Sequence, residues 1–396
     1  MDRHILVINA GSSSLKVRLY PLGADGRPGP HRLACQMAGL GGRHPHFDLT
    51  DGQGHPMDPP HGTDGLAAVA DHGGALDRLL GCLEALEPKP RIVAAGHRMV
   101  HGGGRYVAPL RLDRASIRDL ETLVPLAPNH MPHNLAAARA LAERRPDLPQ
   151  VGCFDTAFHE TLPPEARELG LPHAYTERGV RRYGFHGLSY QSVVNHWPEE
   201  TGGPLPERLV VAHLGNGASL CAIKDGRSIA TTMGFSALDG VPMGTRSGAV
   251  DPGALIYLMR TEHLDADGLE RLLYTRSGLL GLSGDSGDME DLLAAGTDRA
   301  RHAVTVFCSR VAGAVASLAM ALGGVDALVF TGGIGEHAAP VRADILVRCA
   351  WLGVRADDAA NAAGGPRLTA PGSPVAAWLI PADEEGVIAA ETARML

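Results

Sequence analysis

The chain has 396 residues, 44% of them hydrophobic, 20% charged and 4% aromatic, enough at ~100–200 residues per domain for two or three domains with sizeable cores. With 36 Lys and Arg against 44 Asp and Glu the formal net charge is −8, which argues against nucleic acid as a partner, and the ordinary apolar fraction excludes a disordered chain. No membrane partner is expected either, because the longest apolar stretch, Val311 to Val325, has 15 residues and a bilayer needs ~20.

The N-terminal apolar run, Ile5 to Ile8, is too short for a signal peptide. Six scattered cysteines without a C-x-x-C pair read as buried free thiols, so the expected compartment is the cytoplasm. Only three residues are lysine, Lys16, Lys89 and Lys224, which gives a lysine in a special place some claim to a chemical reason.

Taken in order, His4 to Ile8 predicts a strand, Asn-Ala-Gly-Ser-Ser-Ser a polar turn, and the alternation from Lys16 to Tyr20 a second strand. Residues 22–62, rich in Gly, Pro and His, predict a loop-heavy insert or further edge strands. A helix is expected over 64–86 and a buried strand over Arg91 to Ala95, ending at Gly96-His97-Arg98. Helical periodicity over 114–145 is broken at Pro128 and Pro132, and a strand over Val151 to Phe154 ends at Asp155. The opening pattern then returns: strand Leu209 to His213, turn Leu-Gly-Asn-Gly-Ala-Ser, strand Leu220 to Lys224, an Asp225-Gly226 hairpin turn, and strand Arg227 to Thr231. A long apolar helix (about 301–322), a buried strand Ala327 to Phe330 and Gly332-Gly333-Ile334-Gly335-Glu336 follow. Two halves built alike predict duplicated α/β domains with a cleft between them. A loop of small residues leaving a buried strand is where such folds bind ligands.

Three loops share one chemical type: Gly-Ser-Ser-Ser (11–14), Gly-Asn-Gly-Ala-Ser (215–219) and Gly-Gly-Ile-Gly (332–335). Any one alone reads as an ordinary tight turn. Three, each after a buried strand, favour backbone N–H groups and hydroxyls facing phosphate. The Walker P-loop, the dinucleotide fingerprint, the nucleophile elbow and zinc-type His/Cys spacings are all absent. Arg98 and Arg246 lie in Gly-flanked segments read as turns. His130, His159, His186 and His213 fall at strand ends or loops, and Asp155, Asp383, Glu384 and Glu385 follow apolar runs. Singly, each is more often part of a surface ion pair. Together, cations and carboxylates where strands run out suit phosphoryl transfer with a metal ion.

The blocks NAGSSSLK (9–16), GHRMVHGG (96–103), FDTAFH (154–159), RRYGFHGLS (181–189), HLGNGAS (213–219), MGTRSG (243–248), FTGGIGE (330–336) and DEE (383–385) resemble the acetate kinase family of the actin/sugar-kinase/Hsp70 superfamily, in order and over nearly the whole chain. The resemblance implies duplicated actin-like (ribonuclease H-like) ATPase domains with an interdomain active-site cleft. The first would comprise 1–150 plus about 382–396, and the second 151–381 with nucleotide and dimer surfaces. It implies reversible transfer of the ATP γ-phosphoryl to acetate, giving acetyl phosphate and ADP, with Mg²⁺ (Mn²⁺ as a substitute), in a homodimer. Carried over, Arg98, His130, Asp155, His186 and Arg246 are catalytic. Ser12, Ser14, Lys16, His213, Asn216, Gly217, Asp288, Gly333, Ile334 and Gly335 bind nucleotide and phosphate. Arg98, Val100, Asn129 and Ala237 line the acyl pocket, and Asn9 and Glu384 serve the metal.

The chain departs from the family at both substrate ends. Asn129 stands where the family has leucine, Ala237 where it has proline, and Glu290 where it has arginine; Leu188, Tyr190 and Ala249 also differ. The alternatives are a kinase for propionate or another short, more polar carboxylate, and, from another class, a nucleotide-dependent sensor or chaperone-like module on the same fold.

Overall fold

The opening apolar run folds as β1 (Arg3–Ala10) and the alternating run after it as β2 (Ser14–Leu22), paired antiparallel. These coordinates come from a computed structural model, which describes the chain except for residues 1–2, 12–13, 41–45, 60–68, 70 and 87. The glycine-rich insert resolves into two more strands, β3 (Leu33–Ala38) and β4 (His46–Asp51), extending the meander outward. On the other side of β1 lie β5 (Arg91–Met99) and β7 (Gln150–Phe154), both parallel to it, with β6 (Leu110–Leu112) antiparallel at the edge. The order is β4-β3-β2-β1-β5-β7-β6.

The second sheet repeats this plan. β8 (Arg208–Leu214), β9 (Ala218–Lys224) and β10 (Arg227–Thr231) form an antiparallel meander. β11 (Ala327–Thr331) and β12 (Ala376–Leu379) add in parallel beside β8, giving the order β10-β9-β8-β11-β12. Both sheets therefore share a three-strand meander whose first strand is joined by two parallel strands, the first sheet adding β4 and β6 at its edges, and the expected duplication is present in the topology. By contacts the chain divides into residues 1–157 with 383–396, and residues 158–382.

Each unit has its own core. In the first, Leu6, Ile8 and Leu15 pack with Leu76 and Leu79 of the helix His72–Glu84 and Leu141 of the helix Met131–Arg144, each such side chain contributing ~1.5–3 kcal/mol on burial. In the second, Leu209, Val211, Ile223 and Val329 close around Tyr190 and Trp197 of the helix Gly187–Thr201.

Several predicted boundaries move. The first long helix begins at His72, where Asp71 caps it through Gly74 N at 2.8 Å; most of the predicted start, 64–70, lies outside the described residues. Pro132 does not break the second helical region. It occupies the first turn of the helix Met131–Arg144, where its missing N–H costs nothing. β5 continues through Gly96-His97-Arg98, so Arg98 sits on a strand and not in a turn.

The apolar helix is longer than predicted. It spans Asp298–Leu322, 25 residues, and by length and composition is apolar enough to cross a membrane. Its Phe307, Val311, Val315 and Leu318 are instead buried in the second unit, and the helix packs against β8, β9 and β10. All six cysteines are free and buried.

Candidate active site

In the first unit strand register brings the chemistry together. Asn9 on β1 pairs with Lys16 on β2, and Arg98 on β5 pairs with Cys153 on β7. Ile8 pairs with His97, so Asn9 and Arg98 follow side by side. Side chains alternate along a strand, so Lys16, Asn9, Arg98 and, two residues past Cys153, Asp155 share one face.

The helix Glu384–Arg394 covers this face. A Cβ at Gly96 would stand 2.3 Å from Thr392 Oγ1 and 2.6 Å from Ile388 Cγ2, so only glycine lets that helix lie this close. The close approach sets Glu384 at the row.

Arg98 donates from Nε and Nη2 to the buried Asp155 carboxylate, the shortest contact being 2.6 Å. Its Nη1 reaches Asn9 Oδ1 at 3.4 Å, and its Nε lies 3.8 Å from Glu384. Burial works against the Arg98 charge, but Asp155 and Glu384 more than offset it, and its pKa is raised. Burial foremost, with Asp155 and Glu385 adding, pushes the Glu384 carboxyl up to about 7, while Arg98 and Lys16 pull it down. Arg18 ties the start of this helix to β2 through Asp383 at 3.4 Å and Glu385 at 3.6 Å.

Two side chains not singled out from the sequence hold the first loop. Asn134, one turn into its helix, donates to the Ala10 carbonyl at 2.8 Å and accepts from Val100 N at 3.0 Å, fixing Val100 near the start of the helix that His130 precedes. His72 Nε2 donates to the Gly11 carbonyl at 2.7 Å. Asn134 left a trace in the sequence as a polar residue on the buried side of an amphipathic helix; His72 left none. Ser14 opens β2, Asn129 is exposed in the turn before His130, and Ser12 lies outside the described residues.

The second unit carries a different set on the matching frame. His213 on β8 pairs with Ser219 on β9 and Thr331 on β11, and these three hold the places taken in the first unit by Asn9, Lys16 and Arg98. The His186 ring stacks on His213 with centroids 4.2 Å apart, and its Nδ1 lies 2.8 Å from Ser219 Oγ. His213 Nδ1 lies 2.8 Å from Ser189 Oγ. A Cβ on Gly217 would stand 3.4 Å from His186 Nε2 and 3.7 Å from Arg246 Nη1, so this loop passes directly against both groups. Arg246 donates to the Ala237 carbonyl at 3.2 Å. Gly244 N donates to the Asn216 carbonyl at 3.3 Å.

The third glycine-rich segment is not an open loop. Gly333, Ile334 and Gly335 form the first turn of a short helix, Gly332–His337. Gly332 turns into it at φ +77°, and its N–H donates to Glu336 Oε1 at 2.9 Å. Arg342, 1% exposed, closes the other end by donating to the Gly335 and Glu336 carbonyls at 2.9 Å each. Asp288 is exposed and caps the helix Met289–Ala295, accepting from Glu290 N at 2.8 Å. Gly287 before it lies against the Gly244 carbonyl, 2.8 Å from where a Cβ would stand.

Register thus brings Asn9, Lys16, Arg98, Asp155 and Glu384 together in the first unit. Close packing brings His186, His213, Asn216, Gly217, Arg246 and Gly333 together in the second.

Residues 4–390 match the acetokinase family. An acetate kinase of Rhodopseudomonas palustris (strain ATCC BAA-98 / CGA009) is 47% identical over 400 residues, with 100% of this chain and 99% of that one covered. Among solved structures, an acetate kinase of Porphyromonas gingivalis is 34% identical with a TM-score of 0.86, covering 99% of each chain. A propionate kinase of Francisella tularensis subsp. tularensis SCHU S4 is 32% identical with a TM-score of 0.88, covering 100% of each.

Proposed function

The chain belongs to the acetokinase family, and from that premise we propose that it transfers the ATP γ-phosphoryl reversibly to acetate, giving acetyl phosphate and ADP. The observation that carries the reading is the row of Lys16, Asn9 and Arg98 at the ends of β1, β2 and β5, with Asp155 and Glu384 around the guanidinium. A short carboxylic acid has a pKa near that of Glu, ~4.3, so the acceptor is already anionic at neutral pH and needs no general base. The obstacle is repulsion between two anions. To meet it we assign Arg98 and His130 of the first unit and His186 and Arg246 of the second, whose positive charge and hydrogen-bond donors suit charge on a transferring phosphoryl. Asp155 holds the Arg98 fork in a fixed plane, so its donors need no reorganisation as charge develops.

A divalent ion would find few protein ligands in the first unit: among the described residues no three His, Cys, Asp or Glu side chains converge to hold one, and Asn9 and Glu384 lie together beside Arg98. The carboxylates Asp155, Glu384 and Glu385 each act on the Arg98 charge, and Asn9 adds a hard carbonyl oxygen. Mg²⁺ takes one or two carboxylates and fills its remaining positions with water and substrate phosphates. Asn9 and Glu384 would hold it, and it would neutralise charge on the phosphoryl oxygens; Mn²⁺ takes the same ligands. Ser12, Ser14, Lys16, His213, Asn216 and Gly217 are assigned to the phosphates, and Asp288, Gly333, Ile334 and Gly335 to the nucleotide. We place the enzyme in the cytoplasm, a reading supported by six free buried thiols. We take it as a homodimer: the helices Pro252–Thr261 and Ala266–Thr275 bury no residue within one chain, and Ile256 and Tyr257 stand exposed. A hydroxamate assay for acyl phosphate, run with ATP over a panel of short acids, tests the reading; no product from any acid overturns it.

The acyl group has its own test. Val100, Asn129 and Ala237 are assigned to the acyl pocket, and Asn129 puts an amide where a leucine would offer apolar wall. Losing wall costs ~0.8 kcal/mol per buried CH₂, several-fold in kcat/KM. The expected result is weak discrimination between acetate and propionate by the wild type, and a several-fold gain for acetate in Asn129→Leu. Competition assays check it; strong exclusion of propionate by the wild type, unchanged in Asn129→Leu, would mean that another residue sets the acyl choice.

A further inference from the structure

His186 adopts φ 58° and ψ 25°, the left-handed region that costs a non-glycine residue ~1–2 kcal/mol. Something must hold it there. The peptide plane after it is held by the helix it starts, since Tyr190 N donates to the His186 carbonyl at 3.1 Å. The plane before it is held by a buried side chain from a distant part of the chain. His159 Nε2 lies 2.9 Å from the Phe185 carbonyl oxygen, and this carbonyl belongs to the peptide bond leading into His186.

The His159 ring is fixed on every side. Its Nδ1 lies 2.8 Å from Ser228 Oγ, which is 3.2 Å from Cys221 Sγ. It meets Tyr190 edge-on with centroids 5.6 Å apart, and Tyr190 OH bonds Ser219, the partner of His186 Nδ1. Gly184, at φ +77°, leaves no room for a Cβ, which would stand 2.6 Å from the His159 ring. A carbonyl only accepts, so Nε2 carries the proton and Nδ1 accepts from the Ser228 hydroxyl. Burial pushes the ring pKa down to about 4, against the pull of the Phe185 carbonyl, so the ring is neutral at working pH.

We infer that His159 is a positioning residue for His186. By donating to the Phe185 carbonyl it orients the Phe185–His186 peptide, and through that peptide it aims the His186 ring that stacks on His213 beside Gly217 and Arg246. The role rests on the proposed phosphoryl transfer for its catalytic meaning, but the geometry it predicts is measurable without turnover.

The test joins imidazole ¹H–¹⁵N spectra with steady-state kinetics, His159 and His186 being assigned from the signals lost in His159→Gln and His186→Gln. In the wild type His159 shows the neutral Nε2–H tautomer from about pH 6 to pH 8. His159→Phe, which fills the space without a donor, shifts the His186 ring signals and lowers kcat by ~10–100-fold, with KM for acid and ATP nearly unchanged. His159→Gln keeps an N–H at the same reach and recovers most of kcat. Trp197→Phe, a core change at the far end of the same helix, lowers Tm without moving the His186 signals or kcat. A charged His159 or the Nδ1–H tautomer in the wild type overturns the inference. So does a folded His159→Phe with unchanged His186 signals and kcat. Should His159→Phe fail to fold, the wild-type tautomer and the recovery in His159→Gln decide. If no acid gives acyl phosphate in the wild type, the functional reading fails while the His186 signals still judge the positioning.

Discussion

Arg98→Ala and Arg246→Ala should each lower kcat by ~10²–10³, the usual loss when one donor to developing charge is removed, but they should differ in stability. Arg98 is the hydrogen-bond partner of an Asp155 carboxylate that is 1% exposed. Removing it strands a buried charge at a cost of ~3–5 kcal/mol. The Arg246 contacts to the Ala237 carbonyl and, at longer range, to the Met243 sulfur strand no buried charge when lost, and a contact of that kind is worth ~0.5–1.5 kcal/mol. Arg98→Lys should recover part of the stability and little of the rate, because an ammonium cannot reproduce the two-pronged contact. Urea denaturation beside kinetics, both well below Tm, checks both halves. Near-normal turnover in both alanine variants would remove these arginines from the chemistry. Equal loss of stability in the two would show that the Arg98–Asp155 contact carries no special weight.

The sequence made the strands and loops of the site legible because short-range rules decide them. The run His4 to Ile8 and the alternation Lys16 to Tyr20 are the pleat written directly in residue types. The same rules located the repeat near residue 215. What they could not read were features set by partners far along the chain. β5 continues to Met99 because β1 and β7 flank it with parallel ladders; the glycine at 96 that suggests a turn is there to admit the helix Glu384–Arg394. Pro132 looks like a breaker until the turn before it is seen to start a helix. His159 reads as one more histidine near a strand end, and its partner Phe185 lies 26 residues away.

The duplication also explains how candidate residues of the two units can occupy matching places without resembling each other in sequence. The second-last pair of the hairpin is Asn9 with Lys16 in one sheet and His213 with Ser219 in the other. The frame places a side chain of each strand at the same spot beside a phosphate-type loop. One copy fills those spots with an amide and an ammonium beside a guanidinium among carboxylates, the other with imidazoles and hydroxyls. The hairpin spots thus carry charge in the first unit and directional hydrogen-bonding groups in the second, where Arg246 adds a cation from outside the hairpin. Pattern matching finds the frame, while the division of labour follows from which atoms the frame brings within bonding distance.

Stability should fall in acid through two histidines that the chemistry does not touch. His97 alternates with Arg98 on β5 and points to the opposite face, where it is 1% exposed. Both amide atoms of Gln150 are satisfied when its nitrogen faces His97 Nε2 at 2.7 Å and the Ala138 carbonyl at 3.2 Å, its oxygen facing Ala142 N at 3.2 Å. That leaves His97 Nε2 as an acceptor, with no place for a second proton. Burial pushes the pKa of both His97 and His159 down to about 4, from ~6.5 in the unfolded chain. Between those values the unfolded chain binds more protons, so stability is full above about pH 6.5 and is lost as pH falls toward 4. The loss is about 2 kcal/mol per histidine between pH 7 and pH 5, out of a total of ~5–15 kcal/mol for a folded domain. Glu384 works in the opposite sense, since a carboxyl pushed up to about 7 gains protons on folding over the same range. The whole-protein curve therefore mixes signs, and the decisive quantity is the difference between wild type and His97→Gln. His97→Gln should be less stable than the wild type at pH 7 and should lose about 2 kcal/mol less on going to pH 5. Urea midpoints at the two pH values measure it, and parallel losses in both proteins would show that His97 takes up its proton as readily folded as unfolded.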